Sequence, residues 1–179
     1  MKKEFTSTLS HELRTPLTSI LGSLQLINSG VFGDLDKDVA ELAEVAERNG
    51  QRLLDLINDI LDIEKIESGK LTLFPEPLPL DTLLREAVKL NQAFAERFGV
   101  KLALSTDLPN VVVNVDVKRI LQVMTNLISN AAKFSPAGET VTIELLDLGD
   151  QVRVAVNDRG TGIPENFRSR IFARFAQAD

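Results

Sequence analysis

The sequence predicts two architectures in one chain: an all-α helical hairpin that dimerises into a four-helix bundle, then an α/β sandwich. Three observations predict this. Apolar residues recur at alternating spacings of four and three through the first part of the chain, the seam by which helices pack on helices. The period then shortens to the strict alternation of strands, with helical stretches between them. Between the two regimes, Ser68-Gly69 is followed by Pro75, Pro77 and Pro79, which punctuate the chain. We therefore assign residues 1–69 to the helical domain and 70–179 to the sandwich.

In the first helix Leu13, Leu17, Ile20, Leu24 and Ile27 form the seam. Asn28-Ser29-Gly30 ends it, and Gly33-Asp34 extends the break. The second seam runs through Leu42, Ala46, Asn49, Leu53, Leu56, Ile60 and Ile63. Ile57 and Leu61 widen its buried face, and Ser68-Gly69 closes the helix. One such hairpin cannot cover both of its apolar faces. A homodimer can, and Asn49 then supplies a polar layer that helps to fix register. The alternative is a monomeric hairpin resting on the second domain.

In the sandwich, Leu71 and Leu73 read as a short strand entering a stiff Pro75–Pro79 turn. Asp81 is placed to cap a helix carrying Leu83, Leu84, Ala87, Val88 and Phe94, which Gly99 stops. Val100 to Leu104 and Val111 to Val115 read as strands. Asp116 caps a helix through Ile120, Leu121, Met124, Leu127, Ile128 and Ala131. Val141, Ile143 and Leu145 pair with Val152, Val154 and Val156 as a hairpin across Gly149-Asp150. Helices interleaved with mixed strands place the helices on one face of the sheet.

Composition narrows the function. Of 179 residues, 44% are hydrophobic and 26% charged, the balance of a folded domain rather than a disordered one. A net charge of −6 argues against a nucleic-acid partner. The lack of cysteine excludes disulfides and thiolate metal sites and fits a reducing cytosol. No apolar run approaches the roughly 20 residues of a membrane-spanning helix. Met1-Lys2-Lys3-Glu4 does not open a signal peptide. We expect a cytoplasmic segment without membrane contact of its own, whatever anchors its parent protein.

Four segments carry chemistry. Ser10-His11-Glu12-Leu13-Arg14-Thr15-Pro16 holds the one histidine. With Leu13 and Leu17 on the seam, His11 turns toward solvent. A neutral imidazole has a free nitrogen that can attack a phosphoryl group. Glu12 can accept the other N–H and offset the developing charge. Thr15, one turn on, can hold a water, and Pro16 should bend the helix. A lone exposed histidine without chemistry is the alternative. In Asn126-Leu127-Ile128-Ser129-Asn130-Ala131-Ala132-Lys133, the two Asn residues share a helix face. Amide oxygens suit Mg²⁺, and Lys133 offers a positive charge to phosphate. Solvent-facing polarity is the plainer reading. Asp158-Arg159-Gly160-Thr161-Gly162 lets backbone approach a flat ligand. A buried carboxylate at Asp158 can accept a hydrogen bond from the amino group of adenine. Taken alone it also reads as a Gly-rich turn, and it is not a phosphate loop of the GxxxxGK[ST] kind. Phe167 to Phe175, with Ile171-Phe172-Ala173-Arg174-Phe175, reads as core packing.

In this order the four segments resemble the H-, N-, G1- and F-boxes of sensor histidine kinases. The resemblance implies phosphorylation of His11, with Glu12 as base and Thr15 supporting removal of phosphate from the partner. It implies that Asn130 is the metal ligand that coordinates the Mg²⁺ of MgATP, with Asn126 and Lys133 supporting the phosphates. Asp158 would read adenine, with Gly160 and Gly162 shaping the site, in a fold of the Bergerat ATPase type. ATP and Mg²⁺ are the implied cofactors. A second copy of the chain and a response regulator receiver domain are the implied partners.

The resemblance also implies parts not found before Asp179: the rest of the lid, a second glycine box of the G-x-G-L-G-L type, a helix and two strands. That predicts an incomplete sandwich and weak triphosphate binding. The function implied is an ATP:protein-histidine phosphotransferase of a two-component system. Its rivals are a phosphoacceptor or docking dimer without autonomous kinase activity, and a plain dimerisation scaffold. The loop around Gly30–Asp36 would set bundle handedness and thereby phosphorylation within or across the dimer.

Overall fold

The heptad seams become two long helices, α1 (Lys2–Asn28) and α2 (Lys37–Glu67), in a computed structural model of the chain. The structure describes residues 2–33, 35–106, 108, 111–173 and 176, and for residues 2–11 the backbone alone. Asp34, Arg174 and Phe175 lie outside the described residues. Two compact units result, residues 1–72 and 73–179.

In the first unit α1 ends at Asn28, and Gly30 takes a positive φ in the turn beyond it. Asp36 caps α2, its side chain accepting from the Asp38 N–H at 3.0 Å. Ser68 and Gly69 end α2, Gly69 again at positive φ. Helix α1 runs through Pro16 without interruption. Leu17 and Leu21 of α1 bury against Ile57 and Leu61 of α2, with Leu54 beside them. Asn28 donates to Glu47, and Arg14 donates to the Asn58 Oδ1 at 2.7 Å. At Gly50 a Cβ would come within 2.8 Å of Leu21, so the helices approach closely there.

The two seams divide differently from the sequence pattern. Leu17 turns inward, but Leu13 and Ile20 of the same seam stay 53% and 54% exposed. In α2 the stripe Ile57–Leu61 makes the hairpin core, while Leu42, Leu53 and Leu56 face outward. The physical reason is geometric. A helix in a hairpin has only one neighbour, so one stripe is buried and the apolar residues to the side of it are left open.

Among the described residues the second unit has two sheets. Strand β1 (Glu76–Pro79) pairs antiparallel with β3 (Val112–Val115). Strands β2 (Lys101–Thr106), β4 (Thr140–Asp147) and β5 (Val152–Asn157) form a mixed sheet in the order β2-β4-β5. β2 and β4 are parallel; β4 and β5 form the antiparallel hairpin around Gly149. Helices α3 (Leu80–Arg97) and α4 (Val117–Phe134) pack against each other and on the sheet. A short α5 (Glu165–Arg168) follows. Along β4, Val141, Ile143 and Leu145 point into the core, where they meet Leu83, Leu84, Met124 and Ile128. Thr140, Thr142 and Glu144 take the alternate positions on the opposite face.

Three expectations are corrected. The strand near Leu71–Leu73 lies instead at Glu76–Pro79. The N–H of Leu80 donates to the Val111 carbonyl, so alternate N–H groups face β3 and the two prolines face the open edge, where none is needed. Asp81 does not cap α3; the helix starts at Leu80, which leaves Asp81 in the first turn near Arg85. Ile171 and Phe172 are not core residues, for Phe172 is 97% exposed.

Asp116 fastens the entry of α4. Its carboxylate accepts from the Phe74 N–H at 3.0 Å and the Arg119 N–H at 3.1 Å. These bonds, that from Phe74 foremost, hold its carboxyl below the usual carboxylate range. A depressed folded pKa stabilises above the unfolded value, about 3.9, and that contribution is lost as pH falls through the folded one. The melting temperature gap between the protein and an Asp116→Ala variant should be widest near neutrality and narrow below about pH 4. A gap that stays constant from pH 7 to pH 2.5 would count against this.

Candidate functional site

The N-terminal constellation lies on α1. His11 falls within the helix, and its side chain lies outside the described side chains. Glu12 and Thr15 are exposed on the same helix. Arg14, three residues on from His11, is half-buried and tied to Asn58 of α2. Sequence pattern missed that tie, because it links residues far apart in the chain.

The second constellation lies on α4. Met124, Ile128, Ala131 and Ala132 bury one face. Asn126, Asn130 and Lys133 are exposed, and at 100° per residue they cluster on the opposite side. Val123, Leu127 and Phe134 are also exposed there, so the amides are flanked by apolar surface. The Lys133 ammonium lies 5.1 Å from the centroid of the Phe134 ring, a cation–π contact that holds it near the end of the helix.

The Asp158–Gly160 loop is stitched to that end of α4. Ser135, buried just beyond the helix, accepts from the Arg159 N–H at 3.4 Å. The Asp158 Oδ1 accepts from the Gly160 N–H at 2.7 Å. At Gly160 a Cβ would lie 2.7 Å from the Phe134 carbonyl oxygen and 2.8 Å from the Asp158 Oδ1. Gly160 is therefore required by closeness. Gly162 meets nothing within 4 Å, but its φ of +74° favours glycine. Thus the loop and the last turn of the helix bearing Asn126, Asn130 and Lys133 are brought together. One expectation is corrected: Asp158 is exposed, because its carboxylate turns outward to close the loop on Gly160 rather than into the core.

A hollow of 470 Å³ lies beside the same loop, lined by Thr140, Thr142, Glu144, Asn157 and Arg159 among others. Glu139, Glu144 and Asp158 contribute three carboxylates to one cation there. Such a lining repels a triphosphate, so the α4 face is the better place for one. Among the described residues no helix is long and apolar enough to cross a membrane.

Residues 1–69 match the His Kinase A (phospho-acceptor) domain, and residues 115–179 match the histidine kinase-, DNA gyrase B- and HSP90-like ATPases. These two domains are those of a sensor histidine kinase core. It is 38% identical over 180 residues to the circadian input-output histidine kinase CikA of Synechococcus elongatus, covering 99% of this chain and 24% of CikA. It is 38% identical over 185 residues to the signal transduction histidine-protein kinase BarA of Escherichia coli K12, covering 100% of this chain and 20% of BarA. The chain thus spans about a quarter or less of the length of these kinases. Full-length ShkA in complex with AMPPNP superposes with a TM-score of 0.78 at 31% identity, over 97% of this chain and 37% of ShkA. The histidine kinase ThkA, in complex with the response regulator protein TrrA, does so with a TM-score of 0.65 at 26% identity, over 97% of this chain and 50% of that one. The helical region followed by an α/β ATPase-like region is the architecture of a histidine kinase core.

The close approach at Gly160 predicts a test within this kinase core. Gly160→Ala should destabilise the second unit by about 1–3 kcal/mol, since backbone must move to admit the methyl group. Gly162→Ala, which meets open space, should cost only about 1 kcal/mol through its backbone conformation. Urea denaturation of both variants checks this, and an unperturbed Gly160→Ala protein would contradict the contact.

Proposed function

We propose that the chain is the phosphotransfer core of a two-component histidine kinase. The γ-phosphoryl group of ATP passes to His11, and from there to an aspartate of a response regulator receiver domain. The observation that carries this reading is the seating of the Asp158–Gly160 loop on the end of α4, the helix whose exposed face carries Asn126, Asn130 and Lys133. It supports a nucleotide site in which apolar Val123 and Leu127 flank polar amides.

In this reading Asp158 accepts a hydrogen bond from the amino group of adenine through its outward-facing carboxylate, while Gly160 and Gly162 let the backbone lie close to the base. Asn126 and Lys133 hold phosphate oxygens. Lys133 would leave the Phe134 ring to do so. Asn130 supplies an amide oxygen to Mg²⁺, a hard neutral donor suited to a cation whose charge is balanced by phosphates. When bound, Mg²⁺ neutralises charge on the phosphate oxygens during transfer. A ring nitrogen of His11 forms the N–P bond as the bridging oxygen leaves with ADP. Glu12 accepts the N–H of the other ring nitrogen and balances the imidazolium charge. Thr15 positions a water for hydrolysis of the regulator's acyl phosphate.

Homodimerisation follows from the outward seam. Leu13, Ile20, Leu42, Leu53 and Leu56 leave an apolar stripe on both helices of the hairpin. A second copy would cover it as a four-helix bundle, with Asn49 as a polar layer. The regulator would dock beside His11, over Leu13 to Ser19 and neighbouring positions of α2.

Two outcomes are expected. Incubation with γ-labelled ATP and Mg²⁺ should give acid-labile label on the chain. His11→Gln should abolish it, and Asn130→Ala should reduce it by roughly 100-fold or more. Label that appears only when an intact kinase is added would favour the acceptor reading; label on His11→Gln would sink His11 as the site. Separately, Leu53→Glu combined with Leu56→Glu should convert a dimer to a monomer in sedimentation equilibrium, weakening association by at least about 100-fold. A wild-type chain that sediments as a monomer would remove the bundle.

A further inference from the structure

Among the buried residues of α3 and α4, Asn91 is the one polar side chain. Leu83, Leu84, Ala87 and Ala95 of α3, with Met124, Ile128, Ala131 and Ala132 of α4, belong to one buried cluster. Asn91 sits on the same α3 stripe, between Ala87 and Ala95, and is only 3% exposed. A leucine there would continue the stripe and would desolvate no amide. The Asn91 side chain is fully engaged as a donor. Its Nδ2 donates to the Ala87 carbonyl one turn back at 2.8 Å, and to the Thr125 Oγ1 of α4 at 3.2 Å. The first bond fixes the amide on its own helix. The second crosses to the residue immediately before Asn126.

Apolar side chains resist separation but are nearly indifferent to small rotations, since their attraction has no direction. A hydrogen bond has direction and a narrow range of length. Thr125 lies about 100° around the helix from Asn126 and about 140° from Asn130. A helix turned by about 20° would move side-chain tips, roughly 5–6 Å from its axis, by about 2 Å. Displacements of that order are large where a ligand is held by a few placed groups.

We propose that Asn91 is a positioning residue for the nucleotide site: through Thr125 it sets the rotation of α4, and so the aim of Asn126 and Asn130. This deepens the nucleotide-site reading above and rests on it. Asn91 touches no nucleotide in this scheme and acts only through the helix.

Replacing Asn91 by leucine separates positioning from stability. Asn91→Leu and Thr125→Val should keep or raise the melting temperature, yet each should weaken binding of a fluorescent ATP analogue by about 5- to 10-fold. The double variant should lose no more than either single one, because both remove the same bond. Thr125→Ser, which keeps the hydroxyl, should bind as the wild type does. Without nucleotide, the side-chain amide NMR signals of Asn126 and Asn130 should shift in Asn91→Leu and Thr125→Val but hold in Thr125→Ser. Unshifted amide signals, additive losses, or wild-type affinity in a folded Asn91→Leu protein would each overturn the proposal. If the wild-type chain bound no analogue, the nucleotide-site reading would fail, and the amide signals would still decide whether Asn91 sets the helix.

Discussion

A gap too narrow for a methyl group joins the two halves of the candidate nucleotide site. The Gly160 backbone lies against the Phe134 carbonyl so closely that any side chain would force one of them to move. The contact does two things at once. It seats the loop after β5 on the end of α4, and it keeps Asp158 free to turn outward, because the Gly160 N–H closes the loop on its carboxylate. Ser135 completes the joint by accepting from the Arg159 N–H. The chemistry proposed for Asp158 and for the α4 amides therefore depends on a joint made of backbone, not on long side chains reaching across a space.

The helical unit rests on a different economy. Each helix carries more apolar surface than one neighbour can bury. The hairpin consumes the stripe of Leu17, Leu21, Ile57 and Leu61 and leaves Leu13, Ile20, Leu53 and Leu56 outside. Burying the second stripe as well within one chain would need a third helix. A second copy supplies two, related by symmetry, without any further sequence. In that arrangement the first stripe specifies the hairpin and the second specifies the partner, so the two can vary independently.

How much of this was legible in the sequence differs by kind of signal. Periodic elements were legible: both long helices, α3, α4 and the β4–β5 hairpin follow from spacing, and Asp116 caps where its position suggests. Signals that depend on which side of a strand is paired were not. Pro77 and Pro79 look like strand breakers, yet they fit in β1 because their missing N–H groups face an open edge. Asp81 looks like a cap, but the Leu80 N–H is already bonded to Val111, so the helix begins before it. For the candidate site, the residue types stood out as motifs, whereas their mutual placement did not. Ser135 and Arg159, Gly160 and Phe134, Arg14 and Asn58 are contacts between residues distant in the chain, and no local pattern announces them. Asn91 carries no motif at all; within the stripe it reads only as a polar interruption.

The long-range contacts have a common consequence when followed along α4. At its start, Asp116 binds both the helix and the Phe74 N–H of the segment that enters the unit. In its middle, Thr125 meets Asn91 of α3. At its end, Ser135 and the Phe134 carbonyl meet the 159–160 backbone. Between these points the helix is held by aliphatic packing against α3 and the sheet. Packing supplies most of the adhesion and little of the direction; the polar contacts supply direction and little of the adhesion. Three directional contacts spread over five turns are enough to fix both the rotation and the axial position of a rigid rod. The exposed face of α4 is then aimed by residues that never appear on it.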